Sequence, residues 1–473
     1  MVELRESTPT EQKTITKPET PILEQDGSKS RINSLKHILE KLRHKTPRPE
    51  ISPTPNPDFL IPIMDITYKE FNKKHPESSE QMQIVLKEVQ GLAIKNFTVH
   101  ESIIYPGVSF SYTKLPVNAD LIQKIAPIDK SQSPEPETPE DTNQENSAEA
   151  KPPKDRVIFL FVPFAPPPDG SGLSPLDMGI DRVMRNIPRV AHALKNGETP
   201  PNIDIYCIGT PIGFAGKSTE EYRDAIIKDG LAANGKMYGA FMNEKLKGMD
   251  PENTYVLAQG ASMGAINADQ AVMYLSPEFK KHTQILLDVP AGHHEPITPP
   301  WTQKPTIVNP RGIQTASMLG AETTFRMLTD PKMKDQGERA KRLYEYLSKE
   351  KNIAPDNSSQ TKLKLRCLYE TGLKLVKGSP LNTDVNRTYI RSGTFDPLST
   401  GPLRIGERVA SNALNKAKKY LGLGEIKGIT SVKKKGRSLE FPYNTSHFWA
   451  YTRRFNRWEQ AFKYCKGLSQ PKT

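Results

Sequence analysis

The stretch NTYVLAQGASMGAINADQAVMYLSP, residues 253–277, changes its hydrophobic period within a few positions. Residues 255–258 form a short apolar run without charge, which is typical of a buried strand. From Ala265 onward the apolar residues recur at helical spacing, and Pro277 marks the expected end of that helix. The pattern predicts a strand, a sharp turn and a helix, with Ser262 on the turn.

The turn carries the sequence G-x-S-x-G, and its residue types have a steric reason. A serine on so tight a turn has a strained backbone, and Gly260 and Gly264 leave room where any Cβ would collide. The turn also places Ser262 at a helix N-terminus, where N–H groups without intrahelical acceptors can face a developing oxyanion. Because so short a pattern also arises by chance, the rest of the chain must supply an acid and a histidine.

Composition sets the limits of the fold. The chain has 473 residues, 36% of them hydrophobic, and 42 prolines, which predicts a large core together with disordered segments. We expect a mostly disordered tail at 1–57 and a disordered linker at 129–153. The N-terminus has no apolar signal segment, and no run is long enough for a membrane helix, so a soluble, cytoplasmic protein is expected. Three cysteines do not make a disulfide framework, and Cys207 is predicted to be a buried thiol.

The net charge of +12 is concentrated at one end of the chain. Residues 401–473 hold 16 of the 66 Lys and Arg and only 4 of the 54 Asp and Glu, which accounts for the whole excess. This segment includes KKKGR at 433–437 and RRFNR at 453–457. It is either solvated surface or a surface that attracts an anionic substrate or a membrane. The aromatic spacing fits an amphipathic helix better than a nucleic-acid groove, so no nucleic-acid partner is expected.

Strand and helix patterns alternate after residue 154. Apolar runs begin at 156, 203, 254, 283 and 387, and helical patterns lie between the first of them, one of which we expect to be interrupted at Pro188. Such alternation predicts an α/β fold with a mainly parallel sheet and helices on both faces. Strand candidates at 58–128 would form its antiparallel start.

With these features, residues 90–130 and 154–470 resemble the α/β-hydrolase superfamily, in which the triad runs in the order Ser, acid, His. The resemblance implies Ser262 as nucleophile, Asp396 as acid in the turn after the strand TYIRSG, and His447 as base before the last helix. Asp288 is a rival acid, and His293 and His294 are rival bases. The two histidines precede Asp396, which breaks the expected order. Asp396 and His447 are 51 positions apart, which is more than the family usually has.

The resemblance also implies an oxyanion hole, a cap and a substrate class. Backbone N–H groups of Met263 and of Phe164 or Ala165 would form the hole, since the three prolines that follow cannot donate. The family's frequent His-Gly after the third strand is missing here. The insertion 293–385 is expected to form a helical cap between two core segments, 154–292 and 386–473. Its candidate substrate-binding residues, which could instead form the cap's own core, are Met318, Leu319, Phe325 and Met327.

A second motif points to another chemistry. GTPIGFAGKST resembles the phosphate-binding loop G-x-x-x-x-G-K-[ST], but Pro211 stands where that loop needs its first glycine. A surface loop of the hydrolase is the alternative.

Together the residues predict an esterase-like serine hydrolase that acts on a small-molecule acyl substrate, with no metal or cofactor. An acyltransferase, thioesterase or peptidase would use the same triad, and a non-catalytic binding scaffold would have the same fold.

Overall fold

The computed structural model describes residues 68–69, 71–125, 155–162, 172–290, 331–376, 385, 387–393, 420, 433–435 and 438–443. The chain divides into units 1–54 and 55–473, and every described residue belongs to the second. The predicted tail at 1–57 and linker at 129–153 lie outside the described residues.

Within the described ranges, nine strands form one sheet in the order β1-β2-β4-β3-β5-β6-β7-β9-β8. The strands from β4 to β9 in this order are parallel to their neighbours, whereas β1, β2 and β8 pair in antiparallel fashion at the two ends. The predicted mainly parallel sheet with an antiparallel start is confirmed. The strands are β1 Phe97–Glu101, β2 Ser109–Val117, β3 Asp155–Phe161, β4 Ile203–Ile208, β5 Thr254–Ala261, β6 Thr283–Asp288, β7 Arg387–Gly393, β8 Lys433–Lys435 and β9 Ser438–Tyr443.

Helices cover both faces of this sheet, and short 3₁₀ turns occur at Pro76–Ser78 and Pro251–Asn253. The α-helices are α1 Ser79–Lys95, α2 Ala119–Ile125, α3 Leu176–Lys195, α4 Glu220–Asp229, α5 Ala232–Leu246, α6 Met263–Met273, α7 Pro277–Lys280, α8 Pro331–Glu350 and α9 Ser358–Val376. The region predicted to supply N-terminal strands therefore also contains helices, among them α1 and α2.

The core consists of two main apolar clusters, one on each face of the sheet. Strand β3 shows why, because its successive residues point to opposite faces. Ile158 and Leu160 pack with α1 and α3, whereas Phe159 and Phe161 pack with α4, α5 and α6. An uninterrupted apolar strand is the expected result when both faces are covered. Cys207 on β4 is fully buried, as predicted, and burial raises the pKa of its thiol.

The expected interruption at Pro188 is wrong, because α3 runs continuously through it. A proline inside a helix removes one hydrogen bond and crowds the carbonyl four residues earlier, which costs about 3 kcal/mol. The apolar face of α3 offsets this cost, since it is buried along its whole length. Its buried apolar side chains include Ile180, Val183, Met184, Ile187 and Val190.

Candidate active site

Ser262 stands alone between the last residue of β5 and the first residue of α6. Its backbone has φ 55° and ψ −122°, a conformation that non-glycine residues rarely adopt. Such a dihedral costs about 1–3 kcal/mol and persists only where the surrounding structure imposes it. The predicted strand, sharp turn and helix are therefore confirmed at Ser262, and the side chain is only 8% exposed.

The two glycines of the turn explain how the strain is imposed. A Cβ on Gly260 would overlap the carbonyl of Gly264 and the amide of Ala265, at the start of α6. A Cβ on Gly264 would overlap the carbonyls of Phe161 and Val162, at the end of β3. Backbone therefore meets backbone on both sides of the serine, as the sequence predicted, and no larger residue fits at either position.

Helix α6 presents its N-terminus at the serine. Met263 is the first residue of α6, and the first N–H groups of a helix have no intrahelical acceptor. The Met263 side chain itself is buried in a small cluster with Leu231 and Ile266, so its backbone is the part that can face the site. The other predicted oxyanion-hole residues, Phe164 and Ala165, lie outside the described residues, two and three positions after Val162.

A buried polar chain anchors the first turns of α6 to the helices beside it. Tyr222 on α4 donates to the Asn234 side chain at 2.6 Å, and Asn234 donates to Asn267 on α6 at 3.1 Å. Burial raises the pKa of Tyr222 well above its ordinary value, so the phenol stays a neutral donor. The sequence analysis did not identify these residues, because successive partners lie 12 and 33 positions apart and share no motif.

Asp396 and His447 lie outside the described residues, so their roles stay predictions. The strands that precede them are described. Strands β5, β7 and β9 are parallel members of one sheet, and their carboxyl ends therefore meet at one edge. Asp396 follows the last residue of β7 by three positions, and His447 follows the last residue of β9 by four. The rivals His293 and His294 also lie outside the described residues.

The rival acid Asp288 is described, and its carboxylate is already occupied. It ends β6 and is 2% exposed. Arg391 on β7 forms two charge-assisted hydrogen bonds with it, and the Gln259 side chain on β5 donates a third at 3.0 Å. Arg182 on α3 in turn donates to Gln259 at 2.7 Å. The single clue in the sequence was Arg391, a charge in the middle of the apolar strand TYIRSG.

The phosphate-loop alternative disagrees with the structure. In a phosphate-binding loop the backbone N–H groups face the anion, but here four of them donate to protein acceptors. Gly213 donates to Thr210, Gly216 to Gly213, Lys217 to Ser109, and Ser218 to the Gln360 side chain. The loop is also not simply surface, since Ser218 is 2% exposed beneath α9.

The second half of the predicted cap is helical and packs on the body. Tyr344 on α8 stacks on Phe214 of the loop after β4, with ring centroids 4.3 Å apart. Leu343 and Leu347 are buried in the same cluster as α3, and Cys367 on α9 is buried in the cluster of the opposite face. The predicted substrate-binding residues Met318, Leu319, Phe325 and Met327 lie outside the described residues, so the cap's role stays a prediction.

Metal binding and membrane crossing can both be assessed for the described part of the chain. Among these residues, no group of three or more His, Cys, Asp or Glu side chains is arranged to hold a metal ion. No helix among them combines the length and apolar character that crossing a membrane requires.

No family model and no curated protein matches the chain. Solved structures do resemble it, at low identity. An epoxide hydrolase from Vigna radiata is 12% identical with a TM-score of 0.31, covering 79% of this chain and 97% of its own. A thermophilic esterase from Thermogutta terrifontis is 9% identical with a TM-score of 0.30, covering 79% and 99%. An α/β-hydrolase fold protein from Chitinophaga pinensis is 12% identical with a TM-score of 0.28, covering 78% and 96%.

Three features of the chain define its fold. A mainly parallel sheet is covered by helices on both faces, and a serine in a strained conformation joins the central strand β5 to α6. Backbone carbonyls from β3 and α6 enclose the two glycines of that turn. The chain has the α/β-hydrolase fold, with Ser262 on the sharp turn, or elbow, between β5 and α6.

Proposed function

We propose that the protein is a serine hydrolase that cleaves a carboxylic ester or related acyl bond through an acyl-enzyme intermediate. The observation that carries the proposal is the backbone of Ser262, with φ 55° and ψ −122° at the start of α6. Strain of this kind is retained where a side chain must be held in one position for function. A serine with only a structural role could occupy an unstrained turn at lower cost.

The proposed chemistry has two acyl-transfer steps. In the first, the Ser262 hydroxyl attacks the acyl carbonyl while His447 takes its proton, and the leaving alcohol departs with that proton. In the second, a water molecule attacks the acyl-enzyme, His447 takes a proton from it, and the acid is released as Ser262 is reprotonated. Asp396 would accept a hydrogen bond from the imidazole, which fixes its tautomer and stabilises its charged form.

The oxyanion would form beside the N-terminus of α6. The backbone N–H of Met263 would donate to it, with Phe164 or Ala165 as the second donor. A helix N-terminus also carries a partial positive charge, which stabilises the anion as it develops. Removal of one such donor costs about 10²–10³ in kcat in serine hydrolases of this kind.

Labelling with a fluorophosphonate probe tests the nucleophile. Wild-type protein should be labelled, and Ser262→Ala should lose labelling and at least about 10⁴-fold in kcat on a short-chain ester. The matched control is Ser276→Ala, at the start of α7, where the serine has φ −57° and its side chain makes no capping bond. That variant should be labelled like the wild type.

The same experiment distinguishes a serine hydrolase from a non-catalytic binding scaffold. A folded protein that shows no Ser262-dependent labelling would be a binding scaffold with a hydrolase fold, and the proposal would fail. Asp396→Asn and His447→Ala should each slow labelling strongly, since the serine then lacks its base or the base lacks its orienting partner. A panel of esters, thioesters and amides then assigns the acyl bond.

A further inference from the structure

Asp288 ends β6 and contacts both neighbouring strands, β5 and β7, at the edge where the proposed nucleophile lies. Its backbone carbonyl, at the end of β6, accepts the N–H of Ser262 at 2.9 Å. Its carboxylate accepts from Gln259 on β5 and from Arg391 on β7. The backbone continues the connection, since Val289 donates to the Arg391 carbonyl at 2.7 Å. One residue therefore holds both the nucleophile's backbone and the strand that leads to Asp396.

The burial of this residue makes the contacts obligatory. Asp288 is 2% exposed, and a carboxylate in such a place needs a countercharge and donors for its lone pairs. Arg391 supplies a two-bond contact through its planar guanidinium, which fixes orientation as well as charge. Arg182 stands behind Gln259, and burial lowers the pKa of its guanidinium to about 10, so it stays charged at neutral pH.

The contacts of the carboxylate indicate which role Asp288 has. A triad acid accepts the imidazole N–H on one oxygen, and a carboxylate has about four acceptor positions in all, three of which are taken here. Here one oxygen accepts from the Arg391 Nε, and the other accepts from an Arg391 terminal nitrogen and from Gln259. The arrangement suits a residue that aligns other groups, because every contact runs to a strand that bears or precedes a proposed catalytic residue.

We propose that Asp288, through its ion pair with Arg391, is a positioning residue that aligns Ser262 with the acid-bearing turn after β7. The inference rests on the proposed function. Gln259 lies three residues before Ser262, and Arg391 lies five residues before Asp396. A shift of β7 against β5 would therefore separate nucleophile and acid directly. Misplacement of a catalytic group by about 1 Å costs about 10²-fold in rate.

The experiment compares Asp288→Asn, Arg391→Met and the double variant. Each single variant should lower kcat on a neutral ester about 10- to 100-fold with little change in KM, because alignment rather than substrate binding is lost. The double variant should be no worse than the poorer single one, because both changes break the same contact. Arg391→Lys should recover part of the activity of Arg391→Met, since it restores the charge without the two-bond geometry.

A matched control removes an ion pair between strands far from the serine. Asp204 lies near the start of β4, at the amino ends of the parallel strands and thus away from Ser262. It pairs with Lys114 on β2 at 2.8 Å. Asp204→Asn should leave kcat unchanged. If Asp288→Asn does not fold, Arg391→Lys and Gln259→Met test the same alignment, because each perturbs the contact and leaves the carboxylate in place.

The outcomes separate the inference from the proposed function. If Asp288→Asn loses about 10⁴-fold in kcat while Asp396→Asn is unaffected, Asp288 is the triad acid and the inference is overturned. If the variants lose stability but keep wild-type kcat, the contact is only structural and the inference is again overturned. If wild-type protein shows no Ser262-dependent labelling, the proposed function fails, and the inference fails with it.

Discussion

At the scale of single residues, the turn at Ser262 depends on the absence of side chains at Gly260 and Gly264. Ser262 is strained, yet its neighbours are in direct backbone contact with β3 and α6, so the turn has no room to relax. The same argument predicts a penalty for Gly260→Ala and Gly264→Ala. Each methyl group would meet backbone carbonyls, which cannot rotate away as a side chain can, and should cost about 1–3 kcal/mol or more of unfolding free energy.

Gly91→Ala is the matched control for this first prediction. Gly91 lies inside α1, and a Cβ there would have no atom within 4 Å. An alanine should stabilise the helix by about 0.5–1 kcal/mol, because glycine loses more backbone freedom on folding. Urea unfolding of the three variants measures both effects. Equal behaviour of Gly91→Ala and Gly264→Ala would contradict the steric explanation of the elbow.

The residue scale also shows which parts of the site the sequence could supply. The strained turn at Ser262 could be predicted from Gly260, Ser262 and Gly264, because steric need and local pattern coincide there. The partners of Asp288 could not be predicted, since its contact with Arg391 joins residues 103 positions apart and depends on the pairing of β6 with β7. A charge inside an apolar strand signals that a partner exists but does not identify it.

At the scale of elements, α9 fastens the loop after β4 to the body. Lys364 is 1% exposed and donates to Asp356 at 2.6 Å and to the Gly213 carbonyl at 3.2 Å. Gln360 accepts from the N–H of Ser218 and donates to its carbonyl, at 2.9 and 3.2 Å. Side chains of α9 thus form the hydrogen bonds that a neighbouring strand would otherwise provide to the backbone of this loop.

The second prediction follows from the unequal burial of that ion pair. Asp356→Asn leaves a buried ammonium without its countercharge and should cost about 3 kcal/mol of unfolding free energy. Lys364→Met should cost only about 1 kcal/mol, because Asp356 is 38% exposed and can be solvated by water instead. Lys362→Met, on the exposed face of α9, should change stability by less than about 0.5 kcal/mol. The reverse order of the two ion-pair variants, Asp356→Asn and Lys364→Met, in urea unfolding would refute this explanation.

The third prediction concerns the pH dependence of β1. His100 packs against Phe110 and Phe241, with ring centroids 5.1 and 4.9 Å apart. Burial lowers the pKa of His100 below its ordinary 6.5, Glu244 opposes the shift and Lys245 adds to it. The unfolded chain therefore binds this proton more readily than the folded one. The contribution of His100 to stability is present above about pH 6.5 and is lost as the pH falls.

Urea unfolding at pH 7.5 and pH 5 checks the effect. His100→Phe keeps a ring in the cluster without a titrating group, so it should lose less stability between the two pH values than the wild type does. Phe161→Leu is the control, because it weakens the same apolar cluster at a ring that contacts Tyr238. It should be less stable than the wild type by the same amount at both pH values.

Elements were predictable where local pattern and tertiary burial agree. The apolar runs of β3 to β6 are buried on both faces, so the pattern and the structure coincide. Helix α1 was not predicted among the strand candidates at 58–128, although Met82, Val85, Leu86 and Val89 recur at helical spacing and are all buried. The low helix propensity of proline predicted a break in α3 at Pro188. The packing of the helix's apolar face outweighs that propensity, so the helix continues.

At the scale of the whole molecule, the basic C-terminal segment is the largest feature without a defined role. Its first cluster, Lys433–Lys435, forms β8 at the end of the sheet, paired in antiparallel fashion with β9. Four strand spacings separate β8 from β5, the strand of Ser262, which is about 19 Å across the sheet. Charges on an edge strand also have a structural use, because they discourage pairing with another chain.

The last prediction separates substrate steering from protection of the edge. Charges in water are screened beyond about 8–10 Å at physiological ionic strength. Strand β8 lies about 19 Å from β5 across the sheet, so its lysines should steer an anionic substrate weakly. Replacing Lys433, Lys434 and Lys435 together by glutamine should change kcat/KM of an anionic ester by less than about twofold at 0.15 M salt. A neutral ester of the same acyl chain is the control.

The variant should aggregate faster than the wild type, because its edge strand has lost its charges. A loss of kcat/KM for the anionic ester but not for the neutral one would instead show that these lysines lie on the path to Ser262. An anionic substrate or membrane surface would then be the partner of this segment.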